Sequence, residues 1–480
     1  MAGSTLKEKT SKGLFWGGTS NFIQQLLNAA FGVYLARTLS PGDYGLVGML
    51  AIFSLLASLL VDGSFSSALI NRKEIKHEDY NAVFWFNIFV AVICAVLLFA
   101  FAPLIARFFH HQELVAIARW YAFGFLVSGF GPAQKAYLTK KLMIREIAIS
   151  NISAVAISGS IGVYLAYRGM GYWTLVIQAL ILGFLTNLGY WISSGWRPSF
   201  RIDFRPVSEM LRFSIKMVIT SFVNLLSNNF ITVLLGRFYP ADKVGYYTQA
   251  SKWELMGVNV LSGMINSVTH PVLASVVDEK DRQLRVFRKI MRFAAFVSFP
   301  AMLGLAFIAP EFITIALTDK WADSVLLLRI LCVGGAFNAL IAVCMGLLLS
   351  RGNSGAYMWS SIFLCVALIA TIFACFPYGI TAMVIGITSV NVLWLVVWQA
   401  LVKKEIGYTL VNLLSDILPF LGFSLISVGA AYFALRAVSN IVVLLLLKIV
   451  LTAAVYILLM LAGKSVTFKE SVAFLKGAKS

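Results

Sequence analysis

Apolar runs of roughly 20 residues, separated by short polar segments, recur from one end of the chain to the other. A helix needs about that length to cross ~30 Å of hydrocarbon. The runs are too long for barrel strands, which take about 10 residues and alternate. The pattern predicts about 14 transmembrane helices. They fall near 13–37, 45–70, 82–108, 114–138, 147–167, 172–192, 210–238, 244–277, 287–309, 324–349, 356–376, 379–402, 413–435 and 442–461. The expected fold class is therefore all-α integral membrane.

Two of these runs break the apolar pattern in the same way. "TSNFIQQLLNAAFGVYLAR" (19–37) carries Asn21, Gln24, Gln25 and Asn28 at i, i+3, i+4 and i+7, one helix face. "TSFVNLLSNNFITVLLGR" (220–237) carries Ser221, Asn224 and Asn228 on an equivalent face. Laying Lys12–Gly45 over Arg212–Gly245 at a shift of 200 matches Phe22 with Phe222, Asn28 with Asn228, Arg37 with Arg237 and Gly45 with Gly245. "FAPLIARFF" from Phe101 is echoed by "IAPEFITIA" from Ile308, and Arg119 by Arg329. The shared order predicts two homologous six-helix lobes, 1–200 and 201–405, followed by a terminal helix pair and basic tail, 406–480. Six is even, so both lobes start on the same side of the membrane. That makes a parallel repeat of the kind that rocks around a central site.

A side-chain amide in hydrocarbon without partners costs several kcal/mol. The eighth run adds Lys252, Asn259, Ser262 and Asn266 on one stripe. Such groups either hydrogen-bond between helices as glue or face water. Matched stripes on equivalent helices favour a water-filled cavity between the lobes. Its candidate binding residues are Asn21, Gln24, Gln25, Asn28, Lys216, Asn224, Asn228, Lys252, Asn259 and Asn266. Lys252 is an intramembrane cation, which by default marks function; Lys216 lies nearer a helix end. Glu254 points nearly opposite to Lys252 and, with Asp62, is a candidate coupling or cavity carboxylate. Arg37 and Arg237 end matched helices and are expected to guard the outer exit. Lys448 interrupts the last apolar run with no partner legible in the sequence.

Composition fits this frame. Of 480 residues 60% are hydrophobic and 12% charged, against about 25% charged in soluble domains. The net charge of +18 would suggest nucleic acid in a soluble protein. Here no nucleic-acid-binding signature accompanies it. The cations instead load alternate loops, so the expected orientation puts both termini in the cytoplasm. The five cysteines fall inside apolar runs and read as small buried hydrophobes. No small-residue cleavage pattern follows the first run, so no cleaved signal peptide is expected. "AGKS" at 462–465 lacks the earlier glycine of a phosphate loop and follows a membrane run. His110 and His111 read as a solvated loop pair, and His77 likewise. No catalytic residues, metal site or cofactor are expected.

The stretches "FGVYLARTLSPGDYGLVGML" (31–50) and "LVDGSFSSALINRKEIKHEDYNAVFWFN" (60–87) resemble the opening of Wzx-type polysaccharide flippases, in particular the colanic-acid and teichuronic-acid exporter branch. "YYTQASKWELMGVNVLSGMINSVTHPVLASVVDEKDRQLRVF" (246–287) and "FPAMLGLAFIAPEFITIALTDKW" (299–321) resemble that family's second half. The resemblance implies the MOP superfamily, a MATE-like pair of lobes, and a cavity lined by the first, second, seventh and eighth helices. It implies an undecaprenyl-pyrophosphate-linked oligosaccharide as substrate, flipped from the inner to the outer leaflet of a bacterial plasma membrane by alternating access. Membrane lipids and other polysaccharide-assembly membrane proteins would be its partners. Two rivals stay open: an ion-coupled multidrug antiporter of the same superfamily, and a membrane polysaccharide polymerase or ligase. The short outer loops speak against the second.

Overall fold

The computed structural model describes residues 6–62, 65, 69–70, 75–200, 203–463, 465 and 467–470. The described secondary structure is helical. In chain order the helices are α1 (Leu6–Thr38), α2 (Pro41–Asp62), α3 (His77–Phe109), α4 (Glu113–Ser128), α5 (Pro132–Lys140), α6 (Ile144–Tyr167), α7 (Trp173–Ser194), α8 (Arg205–Phe238), α9 (Ala241–Ala274), α10 (Lys280–Phe312), α11 (Asp323–Ser350), α12 (Ser354–Cys375), α13 (Ile380–Ile406), α14 (Leu410–Ala434) and α15 (Ile441–Ala462). Among the described residues, 12 helical spans are long and apolar enough to cross a membrane. The protein is a multi-pass membrane protein. The two long helices outside that set are α1 and α9, both of which carry amide stripes.

Caps fix where several helices begin. Ser40 and Asp43 bond reciprocally ahead of α2, with Ser40 N donating to Asp43 Oδ2 at 2.8 Å and Asp43 N to Ser40 Oγ at 3.2 Å. The Thr409 hydroxyl accepts from Asn412 N at the start of α14, and Asn440 Oδ1 accepts from Val442 N and Val443 N at the start of α15.

The fourth expected helix is broken. Its sequence "SGFGP" ends α4 at Ser128 and restarts the chain at Pro132 of α5. A break in hydrocarbon frees carbonyls that must find donors. Here α7 supplies them: Asn187 Nδ2 donates to Val127 O at 2.8 Å and Trp191 Nε1 to Phe130 O at 2.8 Å. Gly131 leaves room for the Asn187 side chain, which a methyl at that position would meet. The ninth expected helix is longer than its apolar run. As α10 it begins at Lys280, because two amphipathic, arginine-rich turns continue the helix outward.

The chain forms two compact units, Met1–Gly245 and Tyr246–Ser480, and the boundary falls inside α9. In the first unit α1 packs on α6, α6 on α7, α3 on α4, and α8 on α2 and α3. In the second, α10 is central and packs on α11, α14 and α15, while α13 packs on α11 and α12.

The terminal pair α14–α15 is held to α10 by polar contacts. Arg288 grips the buried Asp416 carboxylate with Nε and Nη2, both at 2.9 Å, and Arg292 Nε adds a third bond at 2.6 Å. The Tyr408 hydroxyl donates to Asp416 Oδ2 at 3.2 Å. Burial, and then the Asp416 charge, push the Tyr408 phenol well above its ordinary range, so it remains a donor. Further along, Lys448 of α15 meets Glu311 of α10 at 2.7 Å, both side chains about nine-tenths buried. Asp416→Ala should cost about 2 kcal/mol, read as a lower melting temperature. The loss is moderate because Arg288 and Arg292 are partly exposed and can be rehydrated.

Candidate functional site

The amide stripe of α1 stands beside a packed face. Ser20 and Leu35 are buried, and the Phe31 ring fills the space left by Gly159 of α6. The adjoining face stays open: Asn21 and Asn28 are exposed, and Gln25 is half-buried. None of these three has a hydrogen bond among the described residues. Gln24 differs. Its Nε2 donates to Ser20 O at 3.2 Å and Ser20 Oγ at 2.8 Å, within the same helix. Neighbouring Phe22 and Leu26 are 63% and 55% exposed, so α1 shows one apolar and one polar strip.

On α8, Asn228 is exposed and Ser221 and Asn224 are half-buried. Asn229, adjacent to the stripe, donates to Leu225 O at 2.9 Å. The side chains of Lys216 and Asn266 lie outside the described residues. Asp62 is the last described residue of α2 and is half-buried.

The matched arginines end α1 and α8. Arg37 is exposed. Arg237 donates to Phe108 O and contacts the His110 ring, with its guanidinium 5.2 Å from the Phe108 ring centre. His110 sits in the left-handed region with φ 61° as the C-cap of α3. His110 is exposed and is also the partner of Arg237, a contact that spacing alone does not reveal. His77 likewise accepts from Trp196 Nε1 at 3.0 Å.

In the second unit, Lys252 of α9 is half-buried with its ammonium 5.9 Å from the Trp253 ring centre, and Asn259 is exposed. Glu254 is buried on the other side, against α11. A methyl at Gly335 would stand 2.8 Å from Glu254 Oε1, so the glycine makes room for the carboxyl. Gln249 is fully buried, and neither amide atom has a partner among the described residues. Gln249 is not among the sequence candidates, although at i−3 it lies one turn before Lys252. The signal available was an amide one turn from Lys252 in a membrane-length helix.

Among the described residues no three His, Cys, Asp or Glu side chains group as metal ligands. Among the described residues, the first unit offers hydrogen-bond donors and acceptors on open helix faces, and the second offers a half-buried cation, Lys252, and a buried carboxyl, Glu254.

The polysaccharide biosynthesis protein family matches residues 34–326. The chain belongs to that family. It is 27% identical over 342 residues to the lipopolysaccharide biosynthesis protein WzxC of Escherichia coli K12, covering 70% of this chain and 68% of WzxC. It is 27% identical to the teichuronic acid biosynthesis protein TuaB of Bacillus subtilis, covering 64% of each. The succinoglycan biosynthesis transport protein ExoT of Rhizobium meliloti is 22% identical, with 81% of this chain and 76% of ExoT covered. Among solved structures, the lipid II flippase MurJ in an inward closed conformation superposes with a TM-score of 0.75 at 15% identity, covering 96% of this chain and all of MurJ. An inward-facing MATE multidrug transporter of the MOP superfamily gives 0.64 at 16% identity, covering 80% of this chain and 94% of that one. At these identities the two likenesses establish a shared fold. Both shared folds belong to transporters, and the family assignment is to polysaccharide biosynthesis.

Proposed function

We propose that this protein flips an undecaprenyl-pyrophosphate-linked oligosaccharide from the inner to the outer leaflet of a bacterial plasma membrane, by alternating access, for a surface polysaccharide. The observation that carries the reading is the open amide face of α1. Asn21 and Asn28 stand exposed in a membrane-length helix without hydrogen bonds to neighbours. In lipid that is costly; against water or sugar hydroxyls it is not. The interhelical-glue reading requires amides bonded to an adjacent helix, and on the described residues these two are not.

A glycan headgroup carries many hydroxyls, each of which would cost a few kcal/mol in hydrocarbon, and two ionised phosphates that would cost far more. The faces of α1, α8 and α9 act as surrogate water. Asn21, Gln25, Asn28, Asn224, Asn228 and Asn259 hold hydroxyls; Lys252, with Lys216, holds pyrophosphate oxygens by charge-assisted bonds. Glu254 and Asp62 are the carboxyls available for coupling, and Arg37 and Arg237 for an outer gate. The lobes 1–200 and 201–405 move against each other, both termini are cytoplasmic, and other polysaccharide-assembly membrane proteins hand over the substrate. The names of WzxC, TuaB and ExoT support the polysaccharide class, and that of MurJ supports a lipid-linked cargo.

Asn28→Ala combined with Lys252→Ala should lower polysaccharide export at least about tenfold in a deletion strain carrying the variant, since two hydrogen-bonded contacts to a charged substrate are removed. Lipid-linked glycan should then accumulate on the inner leaflet, as read by mass spectrometry with leaflet assignment. Unchanged export would reject this face as the path. Drug resistance conferred by the protein, with export untouched, would favour the multidrug antiporter.

A further inference from the structure

The charged end of α10 gathers cations around a cavity. A cavity of about 270 Å³ is lined by Arg285, Arg288, Lys289, Arg292, Thr467 and Glu470. Four cations face one rim carboxylate and the buried Asp416. Lys289 pairs with Glu470 at 2.9 Å, and Arg285 has no ion pair among the described residues.

Asp416 aims the two inner arginines. It takes Nε and Nη2 of Arg288 but only Nε of Arg292. A guanidinium carries five N–H donors, so Arg292 keeps both terminal nitrogens and Arg288 keeps Nη1. Unused, pre-oriented guanidinium donors beside two further cations fit the oxygens of a phosphate.

The surroundings indicate where such a phosphate comes from. From Lys280 to Leu317 the span has 38 residues, longer than the ~20 that hydrocarbon requires. Excess length with arginines gathered in the first turns fits those turns to headgroup depth. One turn beyond Arg292, Phe296 packs on Phe420, Tyr456 and Phe468 with ring centres 6.0–6.2 Å apart. A cationic mouth above an aromatic collar matches the polar-to-apolar profile of a membrane interface, and basic pockets among membrane helices take anionic headgroups.

We propose that this cavity binds the phosphate of an anionic membrane lipid headgroup, against the α10–α14 seam. The site does not depend on the transport reading. It is tested on the full-length protein in detergent by native mass spectrometry, titrating phosphatidylglycerol and phosphatidylcholine separately, and phosphatidylglycerol again with excess inorganic phosphate. The expected result is retention of phosphatidylglycerol over phosphatidylcholine by about tenfold. Arg285→Gln with Lys289→Gln, which leaves the Asp416 grip intact, should remove most of that preference. Glu470→Gln, which takes a negative charge off the rim, should strengthen retention several-fold. A purely structural cluster would not give changes of opposite sign. Melting temperatures close to that of the unmodified protein identify the variants as folded. If phosphatidylcholine binds equally, or both variants bind as the unmodified protein does, the proposal is overturned. If inorganic phosphate binds with the same dependence on the variants while phosphatidylglycerol shows none, the lipid is rejected as the source.

Discussion

Lys448→Met should destabilise the protein by about 3–5 kcal/mol, the cost of leaving a buried charge without its partner. Lys448 Nζ lies 2.7 Å from Glu311 Oε1 and 3.4 Å from Phe307 O, with the Phe307 ring centre 4.3 Å away. Glu311 Oε2 is already buried without a partner among the described residues. Without the lysine the carboxyl must take up a proton or draw in water, and the α10–α15 contact loosens. Glu311→Gln with Lys448→Met removes both charges and should recover most of the loss, because a neutral pair of similar volume avoids the desolvation cost. Thermal unfolding in detergent measures both variants. A single variant as stable as the unmodified protein would mean that the pair holds nothing together.

Gly45→Ala and Gly245→Ala should each cost at least about 1–3 kcal/mol, the usual range for overpacking. A methyl on Gly45 would enter the Ala241 carbonyl, and one on Gly245 would enter the Pro41 carbonyl. The two contacts are reciprocal, and their members are 200 positions apart, as in the repeat. Both collisions are with backbone, so no rotamer change relieves them. Nearby, Gly236 of α8 takes Met49 of α2 and Phe109 of α3 against its bare Cα. The first turns of α2 and α9 must separate to admit either methyl. Once they have separated, the second methyl costs little, so the double variant should lose much less than the sum of the two. Melting temperatures of the two single variants and the double variant test this. Additive losses would show two independent sites.

Much of the fold was legible in the chain because its causes are local. The transfer free energy of a 20-residue run does not depend on its neighbours, so most helices lie close to where periodicity placed them. Two departures have local reasons as well. "SGFGP" broke one helix, and the arginine-rich turns of α10 extended another past the end of its apolar run. The amide stripes were legible too, since the spacing of Asn21 and Asn28 follows from helix geometry alone. Their consequence was not. Gln24 sits on the same face by spacing, yet it bonds Ser20.

The sequence by itself determined the solvent, the approximate number of helices, the repeat and the polar faces, because hydrophobic transfer and the 3.6-residue period act along a segment. Only the tertiary structure decided which charge meets which. Lys448 finds Glu311 across 137 positions, and Asp416 finds Arg288 across 128. It also decided that Gly45 and Gly245 are the points where two helices touch backbone to backbone. Partner choice depends on which helices pack and at what rotation, and no short-range pattern encodes either.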